Sequence, residues 1–200
     1  MSSTLDPYTA TAENLSVTPH EKITGLHSIL NSAKVGMLTT RSAGGSFHSR
    51  AMTPASPYNE TQLTLIFLAN NASHKFEEIQ NDANVNVSFL DKDTTAWASF
   101  SGKAKIIESR ESIKEHWSPY VAAYFGDLKD GVHKGDENDP RVSLIEVVPE
   151  EIRYWMPTKG TIGRAIETGV GAMTGRVAAP GELRTITEAE IKMTRGLHTK

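Results

Sequence analysis

The stretch that decides the reading runs Ser46-Phe-His-Ser-Arg-Ala-Met-Thr53, then Leu63-Thr-Leu-Ile-Phe-Leu-Ala-Asn70, then Ser73-His-Lys75 opening Phe76-Glu-Glu-Ile79. Residues 46–53 alternate, so His48, Arg50 and Met52 share one face and Phe47, Ser49, Ala51 and Thr53 the other. Pro54 and Pro57 end the regular pairing. Leu63 to Ala69 is apolar on both faces at its centre, as in a strand with material packed on each side. Ser73 reads as the N-cap of a helix of about two turns that closes near Asn81. Two strands thus feed a helix start, and both the first strand and the helix start carry cations.

A phosphate is held by a guanidinium fork, an ammonium, hydroxyls and free first-turn amides. Residues 73–75 supply a hydroxyl, an imidazole, an ammonium and those amides at one point, and Arg50 lies one hairpin away. Each charge-assisted bond contributes about 1.5–3 kcal/mol. The same spacing also fits a Ser-capped helix with exposed His74 and Lys75 and a surface ion pair at Arg50, so spacing alone leaves both readings open.

Upstream, Thr18-Pro19-His20-Glu21 is a capping box with Pro at the first helical position, and Ile23, Leu26, Leu30 and Ala33 follow at helical spacing. Residues 1–17 carry no period and read as a loosely ordered leader. Val35 to Thr40 reads as a buried strand, and Ala43-Gly44-Gly45 as a turn. Downstream, Val85, Val87 and Phe89 alternate with polar residues, Asp91-Lys92-Asp93 turns, and Ala96, Ala98 and Phe100 alternate again. Gly102 marks an expected bulge or bend before Ala104 to Ile107. Residues 110–125 have helical character divided at Pro119. A polar stretch over 126–140 leads to a last long strand, Val142 to Val148, closed by Pro149. The strands do not alternate with helices, which points to an antiparallel β-barrel of the α+β class with about six strands. The expected organisation is a leader (1–17), a barrel domain (18–157) and a C-terminal helical extension packing on it (158–200), with helices near 162–173 and after Thr187.

Two hundred residues suit one compact domain, and a net charge of −3 gives no global attraction to nucleic acid or to an anionic membrane. The absence of Cys removes disulfides, thiolate nucleophiles, Cys-based zinc sites and Fe–S clusters. No apolar run reaches membrane-spanning length, and the polar N-terminus resembles neither a secretory signal nor a transit peptide, so a cytoplasmic protein is expected. His20, His27, His48, His74, His116, His133 and His198 form no His-x-x-x-His or His-Glu-x-x-His pair, and no metal site is expected. Asp127, Asp130, Asp136 and Asp139 lack the order of a calcium loop and read as a solvated loop. No Gly-x-Ser-x-Gly and no Gly-x-Gly-x-x-Gly is present, which removes a nucleophile elbow and a dinucleotide fingerprint. Trp97, Trp117 and Trp155 read as core or interface anchors, with room for one beside a flat ring.

Several pieces occur in the order of a known family. They are His48-Ser49-Arg50-Ala51-Met52, Phe67-Leu68-Ala69-Asn70, Ser73-x-Lys75 with Phe76 and Ile79, Asn84-Val85-x-Val87-Ser88-Phe89 and Ser99-Phe100-Ser101-Gly102-Lys103-Ala104. Trp117, Asp139-Pro140, Val147-x-Pro149-Glu150 and Tyr154-Trp155 complete the set over roughly residues 20–160. The chain resembles the pyridoxamine 5′-phosphate oxidase-like split barrels, and more closely their general stress protein branch with its fungal blue-light-induced members. The resemblance implies a six-stranded antiparallel split β-barrel with flanking helices, a homodimer with FMN in clefts at the subunit interface. It implies that Arg50 and Lys75 bind the FMN phosphate with Ser73 and His74, and that Ala51, Met52 and Thr53 present backbone to the isoalloxazine edge. Phe67, Leu68, Ala69 and Asn70 would line the ring and ribityl chain, with Trp97 and Ser99 near the cleft. True pyridoxamine phosphate oxidases end with a Trp followed shortly by an Arg-x-His substrate motif, whereas Trp155 is followed here by Met156-Pro157-Thr158-Lys159-Gly160. Vitamin-phosphate oxidation is therefore not implied, and no catalytic side chain is assigned. The resemblance implies instead an FMN-binding stress-response-type protein acting as a flavin-dependent oxidoreductase, with NADH or NADPH as electron donor. A non-catalytic flavin-binding or flavin-sequestering protein and a haem-binding split barrel are the alternatives.

Overall fold

The computed structural model describes residues 6–175, 177–178 and 180–196; the first five residues of the expected leader, and His198, lie outside the described residues. Helices α1 (Pro7–Ala12) and α2 (Pro19–Ala33) precede β1 (Gly36–Arg41), β2 (Phe47–Met52), β3 (Leu65–Asn70), α3 (Lys75–Asn81), β4 (Asn84–Leu90) and β5 (Trp97–Ile107). Then come α4 (Arg110–His116), α5 (Pro119–Ala122), β6 (Val142–Pro157), α6 (Thr161–Thr174), β7 (Gly181–Ile186) and α7 (Glu188–Gly196). The strand order is β2-β1-β4-β5-β6-β3, and β7 adds to β6. The α+β class and the six-stranded antiparallel split β-barrel expected from the sequence are both present. The residues fall into two compact units.

One unit holds the chain up to Lys34, Ser88–Phe100 and the chain from Glu151 onward. Its capping box forms as read: the Thr18 hydroxyl accepts from the Glu21 amide at 3.3 Å, and Glu21 accepts from the Thr18 amide at 2.9 Å. Residues 6–17, expected to be loosely ordered, contain α1, whose Ala12 is buried against Trp155 and Leu183. The Asn14 amide donates to the Leu183 carbonyl at 3.1 Å. One small buried residue on a polar helix leaves no period for sequence to show. The tail holds the two expected helices, α6 and α7, and also a strand that sequence missed: β7 pairs antiparallel with β6 from Ile152↔Ile186 to Pro157↔Gly181.

The other unit comprises Val35–Val87 and Ser101–Glu150. Here β1 and β2 form a hairpin from Gly36↔Met52 to Arg41↔Phe47, turned at Gly45, whose φ of +89° favours glycine. The β1 strand, read as wholly buried, alternates instead, with Met37 and Arg41 exposed. The β3 strand pairs antiparallel with β6 from Leu65↔Val147 to Asn70↔Val142. Ile66 of β3 shares one buried cluster with Ile113, Phe125, Val142 and Leu144, and Trp117 and Val121 pack partly buried against it. Gly102 does not interrupt β5. A Cβ there would lie 2.2 Å from the Val148 carbonyl oxygen, so the glycine permits a close approach of two backbones rather than a bulge. Pro149 does not end β6; it lies between the residues that pair with β3 and those that pair with β7. Asp139, read as part of a solvated loop, is fully buried. It accepts from Arg141 at 2.7 Å and from the Gly135 amide at 2.7 Å.

Candidate functional site

Strand alternation on β2 sends His48 and Arg50 to one side of the hairpin, and both reach the carboxylate of Glu78 on α3. Arg50 Nη2 donates to Glu78 Oε2 at 2.8 Å, and Nη1 donates to Thr40 Oγ1 and, at 3.4 Å, to the Leu38 carbonyl. The Thr40 hydroxyl donates to Glu78 Oε2, and His48 Nδ1 lies 2.5 Å from Oε1. Lys75 opens α3 and donates to Ser73 Oγ at 2.5 Å; it has no carboxylate partner among the described residues. A cavity of about 810 Å³ lies beside these groups. Its wall includes Arg50, Ala51, Met52 and Thr53 from the end of β2, Leu68, Ala69 and Asn70 from β3, and Lys75. Volume and mixed lining suit a small organic ligand with one charged end.

The two cations line one cavity, as the phosphate reading needs, together with six other residues singled out in sequence. Five of the singled-out residues lie elsewhere. Phe67 is fully buried and does not line the cavity. Ser73 is not the N-cap of α3. His74 holds that position without a side-chain cap, while the Ser73 hydroxyl donates back to the Asn70 carbonyl at 2.6 Å. The His74 imidazole is 93% exposed and lies 3.6 Å from Glu77, outside the cavity wall. Trp97 and Ser99 are on β5 and are not among the lining residues. Trp117, Tyr120, Tyr124 and Phe125 give the wall its aromatic groups. Tyr120 and Tyr124 form an edge-to-face pair with centroids 5.8 Å apart.

Sequence reasoning missed Glu78. Its signal was its place three residues after Lys75, which puts a carboxylate on the same helical face as the cation. Burial would push the Glu78 carboxyl up, but bonds from Thr40, His48 and Arg50 together hold it at about 2, so it is ionised near neutrality. Lys75 is pushed below its ordinary value, first by burial and then by the Arg50 charge, with Glu78 opposing. Glu115, the one carboxylate in the cavity wall among the described residues, pairs with neither cation. The cavity therefore has one end with two cations against one carboxylate, where an anion would relieve an unfavourable charge. Among the described residues no group of three or more His, Asp or Glu gathers as a metal site, and no helix is long and apolar enough to cross a membrane.

Residues 21–178 match the family described as pyridoxamine 5′-phosphate oxidase like. The chain belongs to this family. Protein bli-3 of Neurospora crassa is 37% identical over 194 residues, covering 96% of this chain and 92% of that protein. General stress protein 26 of Bacillus subtilis is 34% identical over 129 residues, covering 62% of this chain and 81% of that protein. Among solved structures, a pyridoxamine 5′-phosphate oxidase-related, FMN-binding protein from Nostoc punctiforme superposes with a TM-score of 0.55 at 17% identity. That match covers 72% of this chain and 86% of the other, and it shows the shared oxidase-like fold. The family match spans both cations of the cavity and Glu78.

Proposed function

We propose that this oxidase-like chain binds FMN, with the phosphate at Arg50 and Lys75 and the ring along Ala51, Met52 and Thr53. The observation that carries the reading is the surplus of cation at one end of a ligand-sized cavity. Lys75 is disfavoured there by burial and by Arg50, and a phosphate dianion would offset both. Membership of a family with an FMN-binding structural neighbour supports the same choice of ligand. Leu68 and Asn70 offer the apolar and amide surface that a ribityl chain and ring would meet. In this reading two copies associate and each completes the other's cleft.

Bound flavin supplies hydride and single-electron chemistry. The chain's own groups hold the phosphate, orient the ring and limit water; no side chain in the wall is assigned a proton-transfer role. A reduced nicotinamide, NADH or NADPH, is the proposed electron donor. Titration with FMN and with riboflavin, followed by visible absorbance and flavin fluorescence, tests the binding. FMN should bind more tightly by at least about 100-fold, as two charge-assisted bonds would give. Equal affinity, failure to bind either flavin, or a Soret band in the purified protein would sink this reading. Mixing FMN-loaded protein with NADH or NADPH separates an oxidoreductase, whose flavin bleaches, from a protein that holds flavin without turning it over. Light scattering should show a dimer with or without flavin.

A further inference from the structure

Glu78 is the unexplained member of the cluster. It is a buried carboxylate outside the cavity wall, yet it touches the phosphate-end arginine and two further side chains. Burying a carboxylate costs several kcal/mol unless it is fully hydrogen-bonded. What the carboxylate does is fix a guanidinium. Arg50 Nη2 is tied to Glu78, and Nη1 to Thr40, which is itself tied to the same carboxylate oxygen. His48 holds the other oxygen of Glu78, so the carboxylate cannot rotate away. Arg50 Nε makes no hydrogen bond among the described residues. A free arginine on a strand samples many rotamers, and ordering it on binding costs affinity.

We infer that Glu78 is a positioning residue: with Thr40 and His48 behind it, it pre-orders the Arg50 guanidinium so that its unbonded side faces the phosphate of the bound ligand. The inference rests on the reading of the cavity as an FMN site and deepens it. The carboxylate acts through Arg50 and does not touch ligand. Its contribution is therefore confined to phosphate-bearing ligands, and it sets the discrimination between a flavin phosphate and the same flavin without phosphate. The opposing electrostatic effect is real, since Glu78 also offsets part of the Arg50 charge. Holding the fork outweighs it because Lys75 remains without a carboxylate partner and supplies the net positive field.

The test compares dissociation constants for FMN and riboflavin in the full-length wild type, Glu78→Ala, Glu78→Gln and Thr40→Val. Wild-type protein that does not prefer FMN would remove the function reading itself, before any variant is considered. Given that preference, Glu78→Ala should weaken FMN about tenfold and leave riboflavin within about twofold. Glu78→Gln keeps an acceptor for Arg50 and Thr40 in the same place and should restore most of the loss. Thr40→Val, an isosteric change that retains the Glu78–Arg50 pair, should weaken FMN by about threefold and leave riboflavin alone, and it serves if Glu78→Ala does not fold. Parallel loss of both flavins would assign Glu78 a role in the fold only. Unchanged FMN binding in Glu78→Ala or Thr40→Val would show that the cluster does not pre-order Arg50, and tighter binding in Glu78→Ala would show that the carboxylate competes with the phosphate; either result overturns the inference.

Discussion

Two arginines in the same unit face buried carboxylates, and they are used in opposite ways. Arg141 meets Asp139 through Nε at 3.0 Å and Nη2 at 2.7 Å, and its remaining donors reach the Phe125 carbonyl at 3.1 Å and the Gly126 carbonyl at 2.8 Å. The carboxylate is completed by the Gly135 amide. Charge is matched one to one, and four of the five guanidinium N–H groups are bonded. Arg50 meets Glu78 with only one terminal nitrogen, shares the other with Thr40 and Leu38, and has Lys75 nearby with no carboxylate of its own. The first arrangement closes a loop onto the sheet. The second leaves cation unspent beside a cavity. The number of unmatched charges, rather than the presence of an ion pair, separates a structural cluster from a candidate binding site.

This contrast can be broken by removing one charge from each side. Asp139→Ala leaves a partly buried guanidinium unpaired and should cost about 3–5 kcal/mol of stability, read from urea unfolding. It should not change the ratio of FMN to riboflavin affinity. Lys75→Ala should do the reverse. FMN affinity should fall by about 1.5–3 kcal/mol, seen in equilibrium dialysis, while the urea midpoint stays the same or rises, because the cation it removes is disfavoured in the free protein. A loss of stability in Lys75→Ala would show that the site is closed after all.

Acid sharpens the comparison further. Both carboxyls are lowered on folding: Asp139 lies well below the usual range, chiefly through its bonds from Arg141, and Glu78 sits at about 2. A lowered carboxyl contributes stability that is complete above its unfolded value and is lost as pH falls through its folded value. For Glu78 the loss should run from about pH 4.5 down to about 2. Glu78→Gln should flatten the unfolding curve in that interval and leave the share due to Asp139 in place. An unchanged acid profile would mean that folding does not lower the Glu78 carboxyl.

Much of this was legible in the sequence, and the gaps have physical reasons. The capping box at Thr18 and Glu21, the alternation that pairs His48 with Arg50, and the break at Pro119 are local signals, and each appears as read. Strand β7 escaped because, of its few apolar side chains, Leu183 and Ile186 are three apart, which breaks a period of two. Phe67 was assigned to a ligand when it belongs to the core. A strand apolar on both faces does not say which face meets a cavity. Ser73 looks like a cap by residue type, yet its hydroxyl is better satisfied one turn back. Glu78 was the largest omission. A charged residue on a short helix reads as solvent-facing, and only the tertiary position of Thr40, His48 and Arg50 makes it a buried acceptor.

The unmatched Lys75 also has a calorimetric consequence. Because its ammonium is disfavoured in the free protein and would be favoured beside a phosphate, ligand capture at alkaline pH draws a proton from the medium. The measured heat of FMN binding should then depend on the ionisation enthalpy of the buffer, and riboflavin should show no such dependence. The buffer thereby becomes a reporter of which end of the ligand has reached the cations.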